Sequence, residues 1–212
     1  MDKESTWLSK IAETFGVFCG IIFPFSEEFK AREKRFLRGI RAGYIRKRFK
    51  SFGSNNSICK VHFKGAKNIE IGSNVFIGTG SRIHTYASQS NSEPSIVLGD
   101  GVSIGQYCFL TACNKITLGK GVLLGSFVLI TDNSHGSSTY TDIQTPPNKR
   151  VIVSKGPVTI GDNVWIGEKV TILPNVTIGE GSIIGANTVV TKNCPPRSIV
   201  VGNPGRVVKE IK

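Results

Sequence analysis

Long apolar runs are missing from this chain of 212 residues. None approaches the roughly 20 apolar residues that span a bilayer. The longest, Phe15-Gly-Val-Phe-Cys-Gly-Ile-Ile-Phe-Pro-Phe25, is closed by Pro24, and it either dips shallowly into a membrane face or packs on the rest of the protein. Aromatic residues make up only 8%, and methionine occurs once. The five cysteines (Cys19, Cys59, Cys108, Cys113, Cys194) are odd in number, scattered, and never spaced as a CxxC pair. With no secretory leader in view, that pattern points to a reducing cytoplasm without a disulfide framework. Strict two-residue alternation over a long strand is also absent, which argues against a sandwich or an up-and-down barrel. No GxGxxG follows a strand, so a dinucleotide fold is not indicated.

What is present is positive charge. Lys and Arg number 27 against 15 acidic residues, a formal net charge of +12, which calls for an anionic neighbour. Much of the excess lies in residues 1–58, which show no repeat and read as a helical, basic N-terminal region. Ser26-Glu-Glu supplies a helix start, and the spacing predicts a helix over Ser26–Phe49. Phe36, Leu37, Ile40, Tyr44, Ile45 and Phe49 form an apolar stripe, and Lys and Arg fill most other positions. Two outcomes follow: residues 26–50 bind a membrane surface, or the stripe docks on the protein's own scaffold. Nucleic acid is not expected, because neither a groove-reading motif nor interleaved stacking aromatics accompany the charge.

From Val61 onward an aliphatic residue recurs every six positions, followed by glycine at the first two of each set of three: Ile71, Ile77, Ile83; Leu98, Ile104, Leu110; Leu118, Leu124, Ile130; Ile160, Ile166, Ile172; Ile178, Ile184, Val190. Four residues after these stand small or branched partners such as Val102, Cys108, Val122, Val128, Val164, Val170, Val176, Ser182 and Thr188. A six-residue period means short strands that turn a corner after each hexad, with the aliphatic side chain pointing inward and glycine easing the corner. Three sides make one coil, and stacked coils bury a continuous core. Cys108 is read as part of that core.

This [Ile/Leu/Val]-Gly-x-x-[Ser/Thr/Ala/Val]-x pattern resembles the hexapeptide-repeat acyltransferases. The likeness covers about residues 59–210. The closing segments Val164-Trp-Ile-Gly167, Ile172-Leu-Pro-Asn-Val-Thr-Ile-Gly179, Ile184-Gly-Ala-Asn-Thr-Val-Val-Thr-Lys192 and Pro195-Pro-Arg-Ser-Ile-Val-Val-Gly-Asn-Pro-Gly-Arg206 look like the branch of galactoside, maltose and capsular-polysaccharide O-acetyltransferases. The resemblance implies an all-β fold, a left-handed parallel β-helix over residues 59–193, with a C-terminal extension over 194–212. It also implies an acetyl-CoA donor, a sugar or glycan acceptor and a homotrimer with active sites between subunits.

The period breaks after His135 and resumes at Ile160, leaving the excursion 136–157 as a protruding acceptor loop. Acetyl transfer to a hydroxyl needs a base, an oxyanion donor and a cleft that aligns the reactants. An imidazole suits the base, and the resemblance matches His135 to the family's catalytic histidine. It also places the oxyanion N–H on Glu168, where a small polar residue is usual. Asp132, in Asp132-Asn-Ser-His135, is a candidate orienter of the imidazole, with turn formation as the other role for it and Asn133. For the donor the family match carries over Trp165, Ala186, Thr191, Lys192, Arg206 and Lys209. Asn114, His84 and Trp165 are the candidates that touch the acceptor, and His84 has a structural role as its alternative.

A zinc-dependent carbonic anhydrase on the same scaffold needs clustered histidines, and His62, His84 and His135 are dispersed along the chain. No metal is expected. Two other functions compete: N-acetylation of a nucleotide-linked amino sugar, and a non-catalytic assembly scaffold. The expected protein is a cytoplasmic O-acetyltransferase, peripheral to the inner membrane surface if the basic helix binds there.

Overall fold

A computed structural model describes residues 27–87, 94–137 and 139–211, together with Lys10, Glu13 and Thr14. The apolar stretch Phe15–Phe25, Cys19, the expected helix start at Ser26 and most of the irregular stretch between Thr85 and Pro94 lie outside the described residues. Residues 1–37 and 38–212 are two compact units. A helix, Glu27–Ile45, crosses that boundary and continues as a 3₁₀ turn, Arg46–Arg48, which bears out the helical period. No helix among the described residues is long and apolar enough to cross a membrane.

Within residues 38–212 the apolar helix positions divide. Ala42 is buried, and Ile45 and Phe49 pack against the core. Phe49 meets Phe52 with ring centroids 5.2 Å apart and Phe63 edge-on at 4.9 Å, closing the first coil. Ile40 and Tyr44 stay exposed. The helix therefore carries one docked and one uncovered apolar face.

After the helix the chain visits three parallel sheets in rotation. Sheet A collects Ser51–Phe52, Ile69–Ile71, Ser95–Leu98, Lys115–Leu118, Val158–Ile160 and Thr177–Ile178. Sheet B collects Ser57–Ile58, Phe76–Ile77, Ser103–Ile104, Leu123–Leu124, Trp165–Ile166, Ile183–Ile184 and Ser198–Val201, and ends on the antiparallel strand Arg206–Glu210. Sheet C collects His62–Lys64, Arg82–Thr85, Phe109–Ala112, Leu129–Thr131, Thr171–Ile172 and Val189–Val190. Each strand pairs with strands one coil before and after, so like positions stack in columns.

The register explains the hexads. Ile77, Ile104, Leu124, Ile166 and Ile184 pair in one ladder, and all are buried. Val102, Val122 and Val164 and their counterparts fill the corners and are buried as well, and Ser182 and Thr188 lie fully inside. Where glycine follows the aliphatic residue, close approach requires it: a β-carbon on Gly105 would lie 2.6 Å from the main-chain carbonyl of Gly125. Corner residues adopt positive φ, as at Asn163, Asn175 and Asn187, where asparagine tolerates the left-handed region. Tyr107 and Phe127 hold the same conformation (φ 55° and 60°) despite their size.

Cys59, Cys108, Cys113 and Cys194 are free thiols. Burial raises the Cys108 and Cys194 thiols above their ordinary range, and Cys108 Sγ donates to the Gly125 carbonyl at 3.1 Å.

Replacing a ladder residue leaves a cavity between two coils that cannot collapse. Ile104→Ala is expected to lower unfolding free energy by about 2–5 kcal/mol, read from the shift of a urea denaturation midpoint at fixed protein concentration.

Candidate active site

His135 closes a short strand, Asn133–His135, that runs antiparallel to Ile152–Ser154 and pairs with Ile152. The excursion is thus an ordered hairpin that begins at Asn133. Beyond Gly136, whose N–H bonds the Val151 carbonyl, the tip holds a one-turn helix, Tyr140–Ile143. Thr139 and Asp142 cap it reciprocally. The Ser137 hydroxyl and N–H donate to the Asp142 carboxylate, and with Thr139 they hold it below the usual carboxylate range. The His135 imidazole is exposed, and among the described residues no side chain or main-chain group bonds it.

Asp132 is completely buried. Its oxygens accept the Cys113 and Asn114 N–H groups, each at 2.8 Å, and the Asn133 amide at 3.0 Å. Asn133 also donates to the Thr111 carbonyl. The carboxylate therefore bolts the start of the hairpin to the preceding coil, and no hydrogen bond joins it to His135 among the described residues. Burial, with the adjacent Asp132 charge second, pushes the Cys113 thiol up to about 11. Asn114 sits half-buried at this same corner, between sheets C and A. The sheet C register continues to Thr191 and Lys192, both exposed, two coils beyond Asp132 and about 10 Å along the stack.

The other sequence-derived residues gather elsewhere. Trp165 stands outward on sheet B, 52% exposed, between Leu123 and Ile183 in register. Glu168 follows at the corner from sheet B to sheet C, and Ala186 is one coil further on. Among the described residues the Glu168 N–H meets no acceptor, while its carbonyl receives the Asn187 N–H. Arg206 and Lys209 lie exposed on the terminal antiparallel strand of sheet B, paired with Val201 and Ile199. One side of sheet C separates the His135 corner from the Glu168 corner, about 15–20 Å at ordinary strand rise. Within one chain the two groups do not meet.

His84 is buried in sheet C and belongs to a polar chain with no counterpart in the sequence reading. Its Nε2 lies 2.7 Å from His62 Nδ1, and its Nδ1 lies 3.0 Å from the Tyr86 hydroxyl. Lys64 covers the Tyr86 ring at 4.2 Å, and Arg82 covers Phe109 at 4.1 Å. Burial first, then the charges of His62, Arg82 and Lys64, lowers His84 to about 4. His62 and His84, 22 residues apart, stand on adjacent strands of sheet C, one 20-residue coil and two residues along the strand from each other. The coil length was the signal that could have paired them. Among the described residues no group of three or more His, Cys, Asp or Glu could hold a metal.

With the geometry in place, similarity to known proteins becomes informative. Residues 157–192 match the model described as bacterial transferase hexapeptide (six repeats). The chain is 33% identical over 156 residues, covering 72% of itself and 76% of the relative, to an Escherichia coli K12 protein named as a lipopolysaccharide biosynthesis O-acetyl transferase, WbbJ. The chain belongs to the hexapeptide-repeat transferase family. Among solved structures, the N-acyltransferase AntD of Bacillus cereus, in complex with dTDP and coenzyme A, matches with TM-score 0.68 and 25% identity over 80% of this chain and 88% of AntD. A maltose O-acetyltransferase from Clostridium difficile 630 matches with TM-score 0.58 and 28% identity over 87% and 86%. The chain is therefore an acyltransferase, and the scaffold-only reading gives way.

His84 takes up its proton near pH 6.5 when unfolded and only near 4 when folded. Between those values the unfolded state holds the extra proton, so the stability that His84 contributes is complete above 6.5 and is lost as pH falls towards 4. A His84→Gln variant should show a flatter decline of melting temperature across that window than the parent protein, measured by circular dichroism in matched buffers.

Proposed function

We propose that the chain is a left-handed parallel β-helix that transfers acetyl from acetyl-CoA to a sugar hydroxyl, on a surface polysaccharide or its lipid-linked precursor. The observation that carries this reading is the split site. An exposed imidazole with no hydrogen-bond partner among the described residues stands at one corner of sheet C, and a main-chain N–H likewise without an acceptor among them stands at the other. Apposing two copies brings His135 of one against the Glu168 edge of the next, and three such contacts close a ring. The uncovered Leu123 and Trp165 on sheet B support a homotrimer assembled over that face.

In this arrangement His135 takes the proton from the acceptor hydroxyl as its oxygen bonds to the thioester carbon. The Glu168 N–H stabilises the oxyanion. Collapse breaks the carbon–sulfur bond, and the imidazolium returns its proton to the leaving thiolate. Asp132 acts at a distance, by fixing the root of the hairpin that carries His135. Trp165 and the small Ala186 line the donor path, Thr191 and Lys192 flank it, and Arg206 and Lys209 meet the donor phosphates. Asn114 borders the acceptor, and Trp165 faces both substrates. His84 acts through the polar chain behind the acceptor wall.

The N-terminal residues 26–50 bring the enzyme to an anionic membrane surface from the cytoplasm: the exposed Ile40 and Tyr44, set among arginines, support that placement. Similarity to AntD favours a second reading, N-acylation of an amino sugar. Parallel assays with a free glycan and an amino sugar separate the two.

His135→Ala should lower acetyl transfer by about 10²- to 10⁴-fold with unchanged circular dichroism, and full retained transfer would remove the base from this reading. Ala186→Trp should block the donor path and also inactivate. Refolded together, the two inactive chains should recover about one quarter of parental activity by random assortment in mixed trimers. No recovery would show that both residues serve one chain's site.

A further inference from the structure

The first coils carry an open pocket of about 430 Å³ that the acetyl-transfer chemistry does not use, lined by Arg41, Lys60, Val61, His62, Gly80 and Ser81. Three of the six can carry positive charge, and none is acidic. Arg41 reaches it from the docked half of the basic helix, and Lys60 and His62 come from the first crossing between sheets B and C. Gly80 N–H donates to the Lys60 carbonyl at 2.8 Å, which ties the pocket floor to the coil before it. Ser81 is committed inward: its hydroxyl donates to the Gly105 carbonyl and accepts the Cys108 N–H. The charged side chains that line the space are all basic.

His62 can serve as a donor here. Its Nδ1 is engaged by His84 Nε2, which leaves Nε2 as the free nitrogen. His84 is neutral at physiological pH and can switch roles. When Tyr86 donates to His84, His84 donates to His62 and His62 presents Nε2–H. When the chain runs the other way, His62 Nδ1–H donates to His84 and Nε2 is left as an acceptor. An anion in the pocket selects the first arrangement, in which the donor points away from His84. An anion with several acceptor oxygens is the ligand that suits two flexible cations and an imidazole that can donate.

The pocket's position gives it a purpose. Gly80, Tyr107, Phe127 and Lys169 occupy the same corner on successive coils, linked by the bonds Tyr107 N–H to Thr79, Phe127 N–H to Gln106 and Lys169 N–H to Ser126. Three coil spacings, about 14 Å, separate the pocket floor from the Glu168 corner. The interval is filled by the exposed rings of Tyr107 and Phe127, stacked at 5.2 Å with their planes 14° apart. The Tyr107 ring lies over Gly80, where a β-carbon would come within 2.3 Å of it, so that glycine is what lets the ring sit there. Between Gly80 and Lys169 this corner column holds only the two aromatic rings, so the pocket's cations form a group separate from the Glu168 corner.

We propose that the Arg41–Lys60–His62 pocket binds a phosphate group of the acceptor, so that the enzyme acts on a phosphate-bearing glycan. The inference rests on the acetyl-transfer reading for calling the ligand an acceptor. The pocket's affinity for phosphate stands apart from that reading.

The test is isothermal titration of the full chain with glucose 1-phosphate and with glucose, and flotation with phosphatidylcholine vesicles with and without a polyprenyl-phosphate glycoside. Binding of glucose 1-phosphate but not glucose is expected, weakened about tenfold or more in Arg41→Ala/Lys60→Ala and restored by Arg41→Lys/Lys60→Arg. Lys155→Ala, a cation outside the pocket lining, should bind like the parent. Binding confined to the glycoside-bearing vesicles, and lost in the double alanine variant, assigns the phosphate to a lipid carrier. Binding of neither probe, or undiminished binding by the double alanine variant, overturns the site. Competition by coenzyme A for the same binding overturns the acceptor assignment by giving the pocket to the donor. The His135→Ala chain should bind glucose 1-phosphate like the parent, so a failed base assignment and a failed phosphate site are read separately.

Discussion

Everything in residues 38–212 depends on how closely one coil rests on the next. At Gly105 and Gly125 the chain passes over the following coil with no room for a side chain, and strands pair in parallel with no shift of register over the stack. That contact fixes the period, because any residue other than glycine there would pry the coils apart. It also turns sequence into columns. A residue's neighbours across the sheet are those one coil away, so a functional edge is assembled from side chains 18 to 42 positions apart in the chain.

Legibility followed from that arithmetic. Every aliphatic position read from the six-residue period is buried, from Ile71 to Val190, and so are the corner partners Val102, Cys108, Val122 and Thr188. Burial leaves its mark directly on residue type. The family resemblance led to Trp165, Glu168 and Ala186, and the structure sets these along sheet B and its edge with sheet C. Harder to read was anything that depends on which columns adjoin. His62 and His84 looked dispersed, yet a coil of 20 residues sets them diagonally across adjacent strands as hydrogen-bonded neighbours. The hairpin begins three residues earlier than the loss of period implied, because Asn133–His135 still pairs, only with a strand of its own. Asp132 was a candidate for orienting the imidazole on proximity in sequence. Its oxygens are taken up by main-chain donors of the coil before, a contact that no local pattern announces.

The helix shows the same limit from another side. One 3.6-residue stripe was visible, and two outcomes were open for it. The structure divides the apolar positions, docking Ala42, Ile45 and Phe49 and leaving Ile40 and Tyr44 uncovered. Periodicity reports that a face is apolar. It cannot report how far round the helix the docking surface reaches, since that depends on the curvature of the coil beneath.

The hairpin leaves sheet C at Asn133, and the chain rejoins the stack at Val158, which pairs with Ile116 as though nothing intervened. Its tip is capped by its own Thr139 and Asp142, and its root is held by Asp132. Such an insertion behaves as a cassette. Its length and contents can be exchanged without re-registering a single core strand, and closing a longer loop costs little extra entropy. The stack can therefore stay constant while the hairpin is rewritten, which separates change in the insertion from change in the scaffold that carries it.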